Sequence, residues 1–168
     1  MSKAVMLSIR PKWCEKIASG EKTIEVRKTR PKLETPFKCY IYCTLPKYPH
    51  EDFIATDYPM PQFYGGGKVI GEFTCERIAL IAYDGGELSS TTNAAFSFAT
   101  RLTQSEIIAY IGDKKRCYGW HMSNLRIYDT PRELSEFTGL RNTRFGAAPY
   151  DIKRPPQSWC YVEVTDNG

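Results

Sequence analysis

A helix that must stop at Gly20, with a strand starting at once behind it, constrains this chain more than any other stretch. Trp13, Cys14, Ile17 and Ala18 fall at helical spacing. Pro11 suits the first turn, where its missing N–H removes no bond. Gly20 is a natural C-terminal stop. The segment Gly20-Glu21-Lys22-Thr23-Ile24-Glu25-Val26-Arg27 then reads as a strand over 23–28. In an extended chain Ile24 and Val26 point one way, and Thr23, Glu25 and Arg27 the other. An ammonium, a hydroxyl, a carboxylate and a guanidinium are therefore expected together at one helix-to-strand junction. The apolar run at residues 5–9 supplies a strand before the helix, so the chain opens β-α-β.

The remaining pattern is mostly short strands. Residues 37–44 alternate Phe37, Cys39, Ile41 and Cys43 against Lys38, Tyr40, Tyr42 and Thr44, which predicts a half-buried strand. Residues 68–78 read as another strand, with Gly71 marking a bulge or a close backbone approach. Between them, about 45–67, stands a long loop insertion with Pro46, Pro49, Pro59, Pro61, five aromatics and Gly65-Gly66-Gly67. It is either a binding loop or lid, or an ordered insertion held by its aromatics. No G-K-[ST] follows the triple glycine, so it is no P-loop. Residues 84–100 read as loop. Thr103 and Glu106 form a capping box, with Leu102 and Ile107 as a hydrophobic staple, and open a helix that buries Ile107, Ile108 and Ile111 and stops at Gly112.

Residues 118–128 predict one or two strands. A second capping box at Thr130-Pro131-Arg132-Glu133 predicts a short helix burying Leu134 and Phe137 and ending at Gly139. Residues 140–157 read as loop and 158–164 as the last strand. Short strands with few helices predict an α+β fold, a small, mixed, partly closed barrel. With no repeats and no linker, residues 1–168 read as one domain.

Composition narrows the function classes. At 42% hydrophobic and 25% charged, 168 residues suffice for a core and read as a soluble globular chain. No eighteen-residue apolar window predicts a membrane span, and the first apolar run is too short for a signal peptide. The expected location is cytoplasmic. The six cysteines hold no C-x-x-C pair and stand beside only two histidines, and most of them read as small buried hydrophobes. No metal site and no cofactor are expected. The net charge of +4 is uneven: residues 1–48 carry +7, residues 49–112 carry −5 and residues 113–168 carry +2. The basic charge surrounds the opening motif. It is either a field for an anionic partner such as nucleic acid or a solvated lysine-rich face.

Three constellations carry candidate chemistry. In the first, Lys22 and Glu25 are a general acid/base pair, with Thr23 a weaker hydroxyl candidate and Arg27 a planar fork for phosphate or carboxylate. The alternative is a salt-bridge ladder on an exposed sheet face. In the second, Tyr118-Gly119-Trp120-His121 offers Tyr118 and Trp120 as a stacking platform for bases. The alternative is a core tryptophan with His121 capping a backbone group. In the third, Lys153-Arg154-Pro155-Pro156-Gln157-Ser158-Trp159 enters the last strand through two prolines. That holds Arg154, Gln157 and Ser158 at the strand mouth, unless the segment is only a rigid connector. Arg10-Pro11-Lys12-Trp13 is a similar basic and aromatic cluster at a helix start. No nucleophile elbow, H-E-x-x-H or dinucleotide fingerprint occurs.

Several of these residues resemble the ASCH family of the PUA-like superfamily. The resemblance rests on Leu7-Ser8-Ile9-Arg10-Pro11, on Ile17 through Arg27, which is similar to the family's G-x-K-x-x-E-x-R signature, on Lys68-Val69-Ile70-Gly71-Glu72-Phe73, and on Pro156 through Val162. It covers most of the chain outside 45–67 and 84–100. It implies a PUA-like β-barrel with flanking helices and a basic cleft beside the first helix. The superfamily's general role implies RNA binding, often at modified nucleosides. Some small members are amidohydrolases acting on an acetylated cytidine through a lysine, a threonine and a glutamate, and others are proposed ribonucleases. Lys22 matches the hydrolase lysine, whereas the nucleophilic threonine's position is Glu25 here, with Thr23 two positions earlier. The leading expectation is a binder of RNA, another nucleic acid or a modified nucleotide through Arg10, Lys22, Thr23, Glu25, Arg27, Tyr118, Trp120, Arg154, Gln157 and Ser158. The alternative is a hydrolase of the same fold using Lys22 and Glu25, and the choice stays open. A protein partner at the 45–67 loop is a further expectation.

Overall fold

Alternation along the first strand serves two cores at once. In the computed structural model, which describes residues 2–45, 66–84, 87–90 and 95–165, β1 (Lys3–Ile9) sends Val5, Leu7 and Ile9 into one apolar cluster. Ala4 and Met6 enter a second on the opposite face. α1 (Pro11–Ala18) closes the first cluster with Cys14 and Ile17. After β2 (Ile24–Arg27), β3 (Phe37–Cys43) pairs parallel to β1, the arrangement that a crossover between neighbouring strands produces. Phe37, Cys39, Ile41 and Cys43 meet β1 and α1 in the first cluster, while Tyr40 and Tyr42 are buried in the second. β3 is therefore buried on both faces, not half-buried as expected. Tyr40 tolerates this because its hydroxyl finds Thr165 Oγ1 at 3.2 Å and accepts from the Thr165 backbone N–H at 2.9 Å.

β4 (Lys68–Asp84) and β6 (Arg116–Arg132) are each 17 residues long and form the antiparallel spine. Both run past the expected 68–78 and 118–128: β4 continues through Ala79-Leu80-Ile81-Ala82-Tyr83, with Ala79 and Ile81 buried, and β6 through the polar Asp129-Thr130-Pro131-Arg132, which hides the strand pattern. Their pairing shifts register three times, once between Val69 and Gly71. At Gly71 a Cβ would fall 2.5 Å from the Arg126 carbonyl oxygen, so the close approach expected there is present. β5 (Glu87–Ser90) adds to β4, and α2 (Ala95–Thr100) and α3 (Gln104–Ile111) cover β2, β4 and β6. Ile24, Val26, Ile81, Phe96, Ile107 and Ile111 make that third cluster. The Thr103–Glu106 capping box is formed on both sides, at 2.8 and 3.1 Å. Leu102 packs beside Ile107, while Ile108 is only half-buried.

Three expected loops or helices are corrected. The described part of 84–100 holds β5 and α2, whose small Ala and Ser residues read as loop. Thr130 lies inside β6, and the local capping box belongs to Glu133 and Glu136 around one 3-10 turn at Leu134–Glu136. Phe137 is buried as expected, but Gly139 sits within a strand. Residues 140–157 are not all loop: β7 (Thr138–Thr143) and β8 (Gly146–Asp151) form a hairpin ahead of β9 (Trp159–Glu163). Residues 46–65 of the expected insertion lie outside the described residues.

Among the described residues the strands form one mixed sheet in the order β2-β6-β4-β3-β1-β9-β7-β8. The α+β character stands, but the backbone ladder is open, ending at β2 and β8, and no barrel is closed by strand pairing. The seam between β2 and β1 is crossed by a side chain instead: Arg27 donates to the Ser8 carbonyl at 2.8 Å and the Ser158 carbonyl at 3.1 Å. All six cysteines are free thiols, five of them buried. No described helix is long and apolar enough to cross a membrane.

Candidate functional site

The junction after α1 is pinned by backbone before any side chain acts. Gly20 takes φ +80°, the left-handed region that favours glycine. The Lys22 N–H then donates to the Lys16 carbonyl at 2.9 Å, and the Thr23 N–H to the Ala99 carbonyl at 2.9 Å. The Thr23 carbonyl accepts from the Met122 N–H at 2.9 Å. Lys22 and Thr23 are thus fixed among α1, α2 and β6. β2 starts one residue later, at Ile24, so Thr23 is not in the strand. Its side chain is exposed and takes no part in the site, contrary to expectation. Ile24 and Val26 face α2 and α3, which leaves Glu25 and Arg27 on the opposite side, as alternation predicts.

Lys22, Glu25 and Arg27 form one buried network, with side chains 2%, 9% and 10% exposed. Lys22 Nζ donates to the Thr100 carbonyl at 2.7 Å, lies 3.5 Å from Glu25 Oε2, and sits 5.1 Å from the centre of the Trp13 ring. Glu25 Oε1 takes two contacts from one guanidinium, Arg27 Nε at 3.1 Å and Nη2 at 3.0 Å. The rest of that guanidinium spans the seam, and Nη1 also reaches Ser158 Oγ at 3.3 Å. Arg27 is thereby spent on structure, with its charge matched by Glu25. Glu25 Oε2 differs: it is buried, faces Lys22 at ion-pair distance, and receives no hydrogen bond. Burial lowers the Lys22 pKa from 10.5, an effect that the Glu25 carboxylate opposes.

These groups floor a cleft of about 700 Å³. One wall is the start of α1, with Arg10 and Trp13. Another is α3, with Glu106 and Tyr110, and a third is the Pro155–Ser158 approach to β9. Lys28 and Thr29 continue the rim after β2. Glu106 is held by its capping role, while the Tyr110 ring lies 5.1 Å below Lys28 Nζ, and burial raises its hydroxyl pKa. Trp159 Nε1 donates to Thr29 Oγ1 at 2.9 Å, which ties β9 to the segment after β2.

The structure brings together Arg10, Lys22, Glu25, Arg27, Gln157 and Ser158 from the expected set. It does not bring in the stacking pair. Trp120 is fully buried in the first core cluster, edge-on to Phe37 at 5.9 Å and near Trp159 at 6.1 Å. Tyr118 packs partly buried on that cluster, and neither lines the cleft. Arg154 is exposed and outside the lining. Sequence reasoning missed Ser8, Trp13, Lys28, Thr29 and Tyr110 as lining residues. Trp13 stood in the basic cluster with Arg10. Tyr110 lies four residues beyond Glu106, which puts both on one helix face.

No protein-family model matches the chain, and no curated protein matches it. Solved structures do. The crystal structure of ASCH from Zymomonas mobilis superposes with a TM-score of 0.61 at 18% identity, over 95% of this chain and 87% of that one. A serine-to-alanine mutant of that protein gives 0.59 at 18% identity, over 95% and 88%. A tyrosine-to-phenylalanine mutant gives 0.52 at 17%, over 95% and 90%. At such identities the likeness speaks for backbone arrangement, and the fold of this chain is that of an ASCH domain.

Proposed function

We propose that the cleft binds a nucleotide or a segment of nucleic acid, RNA first among them, with a base against the Lys22–Glu25 floor and phosphate at the Arg10 and Lys28 rim. One observation carries the reading: Glu25 lines the cleft floor, and its buried Oε2 takes no hydrogen bond, with only the Lys22 ammonium facing it, at 3.5 Å. An unsatisfied buried acceptor costs roughly 1–3 kcal/mol, more when charged. A ligand N–H removes that cost. A purely anionic ligand would be repelled by Glu25, and a purely cationic one by Lys22 and Arg27. A nucleobase answers both, because its edge sets amino or imino donors beside acceptors. Trp13 and Tyr110 add ring surface in the walls, and Gln157 adds an amide that donates and accepts. Because Arg27 holds Oε1, Glu25 keeps its place while Oε2 is uncovered to bind.

Fluorescence anisotropy with a labelled single-stranded RNA and a competing mononucleotide tests this at low salt. Affinity falls steeply as salt rises, and Arg10→Ala and Gln157→Ala weaken both ligands. Absence of measurable affinity for either ligand at low salt overturns the reading.

A hydrolase using the same floor is the second reading, favoured by the lowered proton affinity of Lys22 beside Glu25. Thr23 does not line the cleft, so in this reading Lys22 and Glu25 would act on a water. Assays with an N-acylated cytidine and with RNA separate the two. In an enzyme Glu25→Gln abolishes turnover far beyond its effect on affinity, whereas a binder shows no turnover to lose.

A further inference from the structure

The β7–β8 hairpin ends in a two-residue turn, Arg144-Phe145, between the paired residues Thr143 and Gly146. Phe145 is 85% exposed, more than any other large apolar side chain described. The turn around it is ordered: Thr143 Oγ1 donates to the Gly146 carbonyl at 2.7 Å and accepts from the Phe145 N–H at 3.2 Å. One side of the Phe145 ring is covered by the Arg144 guanidinium, 4.6 Å from the ring centre. A second arginine, Arg141, lies over the Tyr150 ring at 5.4 Å on the same hairpin. Gly139 makes room for that ring, since a Cβ there would lie 2.3 Å from it. Among the described residues, neither arginine has a carboxylate partner, and neither has Arg154. Asp151 only meets Lys153, at 3.8 Å with both side chains almost fully exposed.

We infer that this hairpin is a second nucleic-acid contact, in which Phe145 stacks on a base of a single strand while Arg141, Arg144 and Arg154 meet its phosphates. A single exposed apolar residue is ordinary. A ring held at a rigid tip among unpaired guanidinium groups is the combination that stacks bases and neutralises backbone. A lipid surface or an acidic protein would use the same charge, but neither rewards one isolated ring so well. The chain joins the hairpin directly to the cleft: β8 ends at Asp151, and Pro155, four residues on, lines the cleft wall. Six residues of strand and that connector span on the order of 30 Å. A stacked single strand rises about 3.4 Å per nucleotide, so roughly 9 nucleotides reach from cleft to tip, and a strand of roughly 12 overlaps both ends. Arg154 stands on the way.

The inference rests on the nucleic-acid reading of the cleft, and the test keeps the two apart. The full chain is titrated with a mononucleotide and with a mixed-sequence single-stranded RNA of roughly 12 nucleotides. Phe145→Ala weakens the longer ligand about 5- to 100-fold and leaves the mononucleotide unchanged, while Phe145→Trp restores the affinity. Arg144→Ala lowers the salt slope of the longer ligand by about one. Unchanged affinity of the longer RNA in the Phe145→Ala Arg144→Ala double variant overturns the hairpin contact, even when Arg10→Ala still weakens both ligands. Loss of anionic-vesicle binding in Phe145→Ala, with RNA affinity intact, overturns it as well. A protein that ignores the mononucleotide yet needs Phe145 for the longer RNA refutes the cleft reading and supports the hairpin.

Discussion

Arg27 does more than any other single residue to hold the site. Its guanidinium compensates Glu25 and donates to one carbonyl of β1 and one just ahead of β9, neither strand its neighbour in the sheet. Arg27→Met leaves Glu25 buried without its main counter-charge and takes a donor from the Ser8 and Ser158 carbonyls, of which Ser158 keeps only the Ser8 N–H at 3.0 Å. Breaking a buried pair in this way costs about 3–5 kcal/mol, and urea denaturation should show a loss of that size. A loss below about 1 kcal/mol, the worth of a surface pair, would mean the network is solvated. Lys22 gives a pH signature. Its folded pKa lies below 10.5, the value it regains on unfolding. Between those two values the unfolded chain holds more protons, so stability rises with pH across that window and is flat below it. The buried cysteine thiols, whose pKa burial raises, lower stability with pH over the upper part of the same range, so the Lys22 contribution is read by difference. Urea melts from neutral pH to 10.5 should show Lys22→Met losing more stability with pH than the wild type. Parallel profiles in the two would assign no part of it to Lys22. At this scale the sequence was legible where spacing decides: Glu25 and Arg27 on one side of β2 follow from alternation alone. That Thr23 precedes β2 and that Trp120 lies in the core was not legible, because alternation does not say where a strand begins or which face is covered.

Elements were legible where their signals are local. The Thr103–Glu106 box, Pro11 at a helix start and the stops at Gly20 and Gly112 involve neighbours in sequence, and each is present. The β7–β8 hairpin was not legible, because Arg144-Phe145 is no Asn-Gly type of turn and its strands carry Gly, Ala and Pro rather than β-branched residues. The double burial of β3 was hidden by tyrosines, which read as polar until their hydroxyls find partners. Gly71 tests how tightly the two long strands approach. Gly71→Ala puts a Cβ 2.5 Å from the Arg126 carbonyl and 3.0 Å from Ile127 Cδ1. The backbone atom cannot swing aside, so β4 or β6 must shift. A destabilisation of roughly 2–4 kcal/mol is expected, at the upper end for point changes, and differential scanning calorimetry should read it as a clear fall in melting temperature. No fall would place the two strands farther apart.

At the scale of the whole molecule the cleft and the open seam of the sheet are the same place. Among the described residues β2 pairs only with β6, and toward β1 and β9 it is held by the Arg27 side chain. That closure joins residues 19 and 131 apart in sequence, which no local pattern reports, so a barrel read from short strands became an open sheet bridged by a guanidinium. The arrangement sets an order of local stability. β3 lies mid-sheet with clusters on both faces, whereas β2 is an end strand with the cleft along it. Opening free energies follow buried contact and pairing, so β3 amides should exchange with solvent most slowly and those of Glu25 and Arg27 markedly faster. A nucleotide bridging the Lys22–Glu25 floor and the Pro155–Ser158 wall spans the seam. At about 100-fold its dissociation constant it adds about 2.7 kcal/mol to the folded state, and the slowing should concentrate in β2 and in the residues entering β9. Hydrogen exchange followed by mass spectrometry, with and without nucleotide, reads both parts. β2 amides as slow as those of β3 without ligand would show that the seam is closed by more than Arg27. Uniform slowing across all strands on ligand addition would mean the ligand stabilises the chain without bridging that gap.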